Sequence, residues 1–144
     1  MDFCIFCKIA AGEIPSATLY EDEDFRVILD IAPAAKGHAI LLPKKHAANL
    51  FEADDDMLAK ALPVVKKVSA ALCKTLHCDG INILQNNGEA AGQTVFHLHI
   101  HMIPRYNEDT VKIGWAQGSY AEGEAAKLAE EIRTQLLCAC HFIK

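Results

Sequence analysis

The chain has 144 residues, the usual size of one domain, and 51% of them are hydrophobic, enough for a core. A formal net charge of -5 argues against non-specific nucleic-acid binding, which needs basic surface to neutralise phosphates. "MDFCIFCKIA" does not read as a secretory leader and no apolar run is long enough to span a bilayer. The six cysteines are therefore expected as reduced thiols of a cytoplasmic protein, not as a disulfide framework.

"ATLYEDEDFRVILD" predicts two short strands joined by an acidic turn at 21–24, with Asp30 ending the second. "IAPAAKG" reads as a loop punctuated by Pro33 and Gly37, and "HAILLPKKH" as a strand closed by Pro43. From Glu52 the apolar positions Leu58, Leu62, Val65, Val68, Leu72 and Leu76 follow a helical period. The acids 54–56 suit the positive end of that helix. Pro63, inside it, predicts a kink or a split.

A strand "GINILQN" follows, then a glycine-rich turn, "NNGEAAGQ", then a strand within "TVFHLHIHMIPR". "YNEDTVKIGWAQGSY" reads mostly as loop. A last helix is expected over about 121–140, with Ser119 and Glu122 as its capping box. Short strands without crossover helices, set against one main helix, predict an α+β domain on an antiparallel sheet.

The strand 94–105 carries His97, His99 and His101 on alternate positions, so the three imidazoles share one face. Phe96, Leu98, Ile100 and Ile103 are expected on the opposite, buried face. Two histidines about 6.6 Å apart can converge on one zinc, but three on a straight strand span about 13 Å, too far for one ion. At least one imidazole is then free for nucleophilic or proton-transfer chemistry. The turn that runs into His97 offers backbone N–H groups, with Asn86, Gln93 and Thr94 beside them, for anionic oxygens. It lacks the Gly-Lys-Ser/Thr ending of a P-loop. Cys4-Ile-Phe-Cys7 is a second metal-like signal; a redox pair or chance is the alternative, though no thioredoxin-like strand and helix surround it, and zinc there would need two histidines from elsewhere. The pairs Cys73/Cys78 and Cys138/Cys140 lie in or beside helical pattern, where cysteine is a good buried apolar residue.

"HLHIHMI" resembles the His-φ-His-φ-His-φ-φ signature of the histidine triad (HIT) family. "CIFCKIAAGEIPS", "DIAPAAKGHAILLPKKH" and "NNGEAAGQTVFHLHIHMIPR" resemble further blocks of its bacterial nucleotide-binding branch, in the same order. The resemblance implies a HIT-like α+β fold with a mainly antiparallel five-stranded sheet, a main helix and a C-terminal helix. The domain would span 1–144, with 106–144 as a C-terminal extension completing it, and two copies would pair as a homodimer.

It implies a hydrolase that cleaves nucleoside 5′-phosphoramidates of purine nucleotides, such as AMP and its amine adducts, through a nucleotidyl-histidine intermediate. A dinucleoside polyphosphate hydrolase, or a nucleotide-binding and protein-interaction module with vestigial hydrolysis, is the alternative. The middle histidine, His99, would be the nucleophile; His101 would hold the phosphate; His38 would support the histidine network. Asp30 matches the residue on the ribose hydroxyls, and Phe6, Ile9, Ile28, Leu29 and Ile31 the wall around the base. Asn86, Gln93, Thr94 and Val95 match the phosphate side, with Thr94 where some relatives have serine. In a zinc-containing subset, Cys4, Cys7, His46 and His97 would hold a structural Zn2+. The C-terminal segment would border the active site or the dimer contact and could tune the leaving group, with Trp115 either part of that border or the anchor of a loop; Arg105 receives no role.

Overall fold

The computed structural model describes residues 3–139, with side chains to 138. It divides into two compact units, residues 1–111 and 112–144. The first holds a five-stranded sheet in the order β1-β2-β3-β5-β4, every neighbouring pair antiparallel. The strands are β1 (Thr18–Glu21), β2 (Phe25–Leu29), β3 (Ala39–Pro43), β4 (Gly80–Leu84) and β5 (Ile100–Arg105). The turn between β1 and β2 is tied by Asp22, whose Oδ1 accepts from the N–H groups of Asp24 and Phe25.

One face of the sheet packs on helix α2 (Asp55–Leu76). Phe25, Val27, Ala39, Leu41, Ile100 and Met102 meet Ala61, Val64, Val65, Val68 and Leu72 there. Pro63 neither ends nor splits α2. It removes the donor that the Ala59 carbonyl would use, but Ala59 and Pro63 both lie on the exposed side, where water can replace that bond. Leu62, expected in the buried stripe, is 62% exposed beside β4.

The opposite face is covered by a helix that the pattern does not predict, α1 (Ile5–Ala10). Phe6, Ile9 and Ala10 pack on Ile28, Ile40 and Leu42, and the Cys4 side chain caps the helix by accepting from Cys7 N–H. Six residues are too few to show a helical period.

The ladder of β5 begins only at Ile100, three residues after the first triad histidine. The β3–β5 register would set Pro43 opposite Leu98. Pro43 has no N–H, and its carbonyl accepts instead from His97 Nε2–H at 2.9 Å, so pairing cannot continue there. The segment bends at residues 95–97 and is held by Leu98 N–H to Ala47 O at 2.7 Å. Leu98 and Ile100 are buried as expected, whereas Phe96 is 47% exposed; Ile103 is buried too, but it shares the parity of His101 and so lies on the histidine face of β5.

Arg105 ends β5 as a clasp. It donates two bonds to the Asp109 carboxylate, at 2.8 and 2.9 Å, and others to Asn82 Oδ1 and Val111 O. Residues 106–111 therefore fold with the first unit. In the second unit Trp115 is exposed. Helix α3 (Glu124–Ala139) starts later than expected. Its start is tied by Glu124 accepting from Ala121 N–H, not by Ser119 and Glu122. Cys140, the end of the expected helix, lies outside the described residues. Among the described residues no helix is long and apolar enough to cross a membrane.

Candidate active site and metal cluster

The cross-strand pairs Ile28↔Ile40, Ile40↔His101 and Leu84↔His101 put these four residues on the α1 face of the sheet. His99 reaches the same face, buried under Phe6, whose ring meets the imidazole edge-on at 5.0 Å between centroids. His101 lies next to it, 4.8 Å away ring to ring. His38, from the start of β3, lies beside His101.

Backbone groups decide the tautomers. A carbonyl can only accept, so His99 Nδ1, 2.7 Å from His97 O, carries a proton and leaves Nε2 with a bare lone pair. An N–H can only donate, so His38 Nδ1 accepts from Ala34 N–H at 3.0 Å and its proton sits on Nε2. That proton is given to His101 Nδ1 at 2.9 Å, leaving His101 with an Nε2–H donor. Burial, followed by the neighbouring His99 and His38, pushes His101 down to about 4; burial also lowers His38, against the pull of Asp30. Both are thus neutral near pH 7, as the relay requires. The Asp30 carboxylate is 3.7 Å from His38 Nε2 and is braced by Ala32 N–H.

The first triad histidine belongs to a different cluster. His97 Nε2–H is spent on Pro43 O, which bares Nδ1 toward Cys4 Sγ (3.5 Å), Cys7 Sγ (3.4 Å) and His46 Nδ1 (3.2 Å). Cys7 Sγ is 3.3 Å from His46 Nδ1. Four thiol and imidazole donors thus surround one point. A tetrahedron built on the usual zinc–nitrogen and zinc–sulfur bonds has edges of about 3.3–3.8 Å, so the donor set fits that ion. Burial holds His97 down to about 4, and burial with the neighbouring Cys4 holds the Cys7 thiol up to about 11. A dication here would reverse the second effect.

The remaining expected residues divide. Phe6, Ile9 and Ile28 form one apolar wall on the histidine face. Ile31 is fully exposed beyond the end of β2. Leu29 points the other way: it pairs with Ala39 on the α2 face and lines a cavity there with Leu72 and Leu76. Asn86 and Val95 are half-buried and Thr94 is exposed, along the turn that leads to His97. Gln93 is 2% exposed and fully engaged within the protein. Its amide donates to Ala48 O and Val95 O, and its oxygen accepts from Gly88 N–H.

The HIT domain profile matches residues 11–108, more than half of the chain. The chain belongs to the histidine triad (HIT) family. It is 43% identical over 134 residues to adenosine 5'-monophosphoramidase hnt1 of Schizosaccharomyces pombe, covering 92% of this chain and 98% of that protein. A crystal structure from Streptococcus mutans UA159 matches with a TM-score of 0.90 at 43% identity, over 94% of this chain and 87% of that one. A Zn-bound histidine triad family protein from Mycobacterium smegmatis matches with a TM-score of 0.73 at 37% identity, over 96% and 98% of the two chains.

Three groups of this HIT site carry no signal in the sequence: Pro43 O, His97 O and Ala34 N. Each sets a ring's proton position. They are backbone atoms, placed by strand register and loop path, so no residue type announces them.

Proposed function

We propose that this HIT protein hydrolyses nucleoside 5′-phosphoramidates, with purine nucleotides such as AMP joined to an amine as its substrates. The observation that carries the reading is the tautomer of His99, whose bare Nε2 lies beside a second imidazole with a free Nε2–H. His99 Nε2 attacks the α-phosphorus; the P–N bond breaks and the amine leaves with a proton taken from solvent. Water then attacks the nucleotidyl-histidine and returns a proton to solvent, and the N–P bond breaks. Nucleoside monophosphate leaves and Nε2 is free again. His101 donates to a phosphoryl oxygen, and the turn N–H groups with Thr94 and Asn86 hold the others. Asp30 takes the ribose hydroxyls, and Phe6, Ile9, Ile28 and Ile31 border the base. The S. pombe relative named as an adenosine 5'-monophosphoramidase supports the substrate class.

Cys4, Cys7, His46 and His97 hold a Zn2+ in this reading, with no position left for a reacting water. Bound zinc supplies a cross-link between α1, the end of β3 and the lead-in to β5. A homodimer forms through the outer edge of β4. An open cleft of about 580 Å³ lies there between Leu62, Pro63, Ile81 and Ile83, and Ser69 Oγ is buried in it without a partner among the described residues. A cytoplasmic placement would keep the cluster's thiols reduced and free to hold the ion.

Rates measured side by side on an AMP–amine phosphoramidate and a dinucleoside tetraphosphate test the function. Faster turnover of the phosphoramidate is expected. Hydrolysis of the tetraphosphate alone, or of neither, contradicts it.

A further inference from the structure

Helix α2 ends in a cap that brings two cysteines together. His77 takes the left-handed conformation, φ 53°, and is the only non-glycine among the described residues to do so. Its N–H bonds back to Cys73 O at 2.9 Å. This is the αL cap, in which the chain reverses and the residue after the left-handed one folds over the last turn. The two side chains that meet are usually apolar. Here they are Cys73 and Cys78, and Cys78 Sγ donates to Cys73 Sγ at 3.2 Å. Both are half-buried, so neither is sealed from a small reagent. The pair lies apart from the zinc cluster in sequence and takes no part in the histidine relay.

We infer that Cys73 and Cys78 form a dithiol modification site that closes reversibly to an intramolecular disulfide when it meets a low-molecular-weight disulfide such as oxidised glutathione. A disulfide bond is about 2.05 Å long, so the sulfurs must approach by only about 1.2 Å. One cysteine thiolate attacks a sulfur of the small disulfide and expels one thiolate. The second cysteine then attacks the mixed disulfide and expels the other. Two protein thiols are oxidised to one disulfide, the two electrons pass to the small disulfide, and the two protons end on its two thiols. The closed bond ties the last turn of α2 to the residue two before β4.

The test uses the reduced, folded full chain treated with oxidised glutathione, then alkylated and cut with trypsin. Cleavage after Lys67, Lys74 and Arg105 puts Cys73 on peptide 68–74 and Cys78 on peptide 75–105. The expected product is these two peptides joined, lighter than their sum by two hydrogens and separated by a reductant. In Cys73→Ala the reaction is expected to stop at glutathione on Cys78. The inference is overturned if both thiols stay alkylatable, if each carries glutathione without a cross-link, or if the cross-link joins other cysteines. Failure of Cys73→Ala to trap glutathione on Cys78 also overturns it.

Discussion

His99 Nδ1 lies 2.7 Å from the carbonyl oxygen of His97, the residue two before it. That one contact separates the duties of neighbouring histidines. It leaves the lone pair of His99 on Nε2, while His97 itself is turned toward the cysteines by Pro43.

The relay Ala34–His38–His101 predicts that His38 acts through His101. His38→Ala should lower kcat by about 10- to 100-fold, the usual cost of removing a group that orients a functional histidine. Nucleotide affinity should change little. Steady-state kinetics with a phosphoramidate, set beside nucleotide binding, check this. A loss confined to KM would mean that His38 contacts substrate directly.

Acid should destabilise the fold through His101. Its folded pKa is pushed down to about 4, below the ordinary 6.5, so the unfolded chain takes the proton first. Its stabilising contribution is whole above about pH 6.5 and is lost as pH falls through about 4. Allowing for its partial exposure, that loss is on the order of 2–3 kcal/mol. Denaturant midpoints from pH 7.5 to 4.5 should fall less steeply in His101→Gln than in the parent.

Zinc should be present at one ion per chain and depend on the N-terminal cysteines. Cys4→Ala should lose the ion, and its Tm should drop by at least ~5 °C because α1 then keeps its small apolar cluster and the Arg26 bond to Ala10 O but not the metal cross-link. Metal analysis and calorimetry check both. Full zinc content in Cys4→Ala would remove Cys4 from the ligand set.

Gln93 is expected to act as a buckle and not as a substrate contact. Gln93→Leu leaves Gly88 N–H, Ala48 O and Val95 O without their partner. Unfolding free energy should fall by about 2–4 kcal/mol. Chemical denaturation measures this. An unchanged stability with a raised KM would return Gln93 to the phosphate side.

The five strands were legible because short apolar or alternating runs are marked off locally by Pro and Gly, although β5 begins at Ile100 and not at 94. Helix α1 was not: "IFCKIA" is too short to show a period, and tertiary contacts with Ile28, Ile40 and Leu42 hold it in place. Pro63 does not split α2 because its cost depends on which side of the helix it occupies, and that side is wet. The histidines of the site were legible as residue types at a spacing. Their protonation was not, since Pro43 O, His97 O and Ala34 N set it. Leu29 and Gln93 show the limit of reading position alone: strand parity turned one away, and internal hydrogen bonds engaged the other.

The central claim is that His99 carries the nucleotidyl group. The most direct measurement is rapid quench of the enzyme into alkaline denaturant during turnover of an AMP–amine phosphoramidate, followed by peptide mass spectrometry kept at neutral to alkaline pH. Peptide 75–105 holds all three triad histidines, and fragmentation assigns the label among them. One adenylyl group on His99 is expected, together with its absence and a turnover loss of at least ~10⁴-fold in His99→Asn. An adenylyl group on His97 or His101, or near-parental turnover in His99→Asn, would contradict the account.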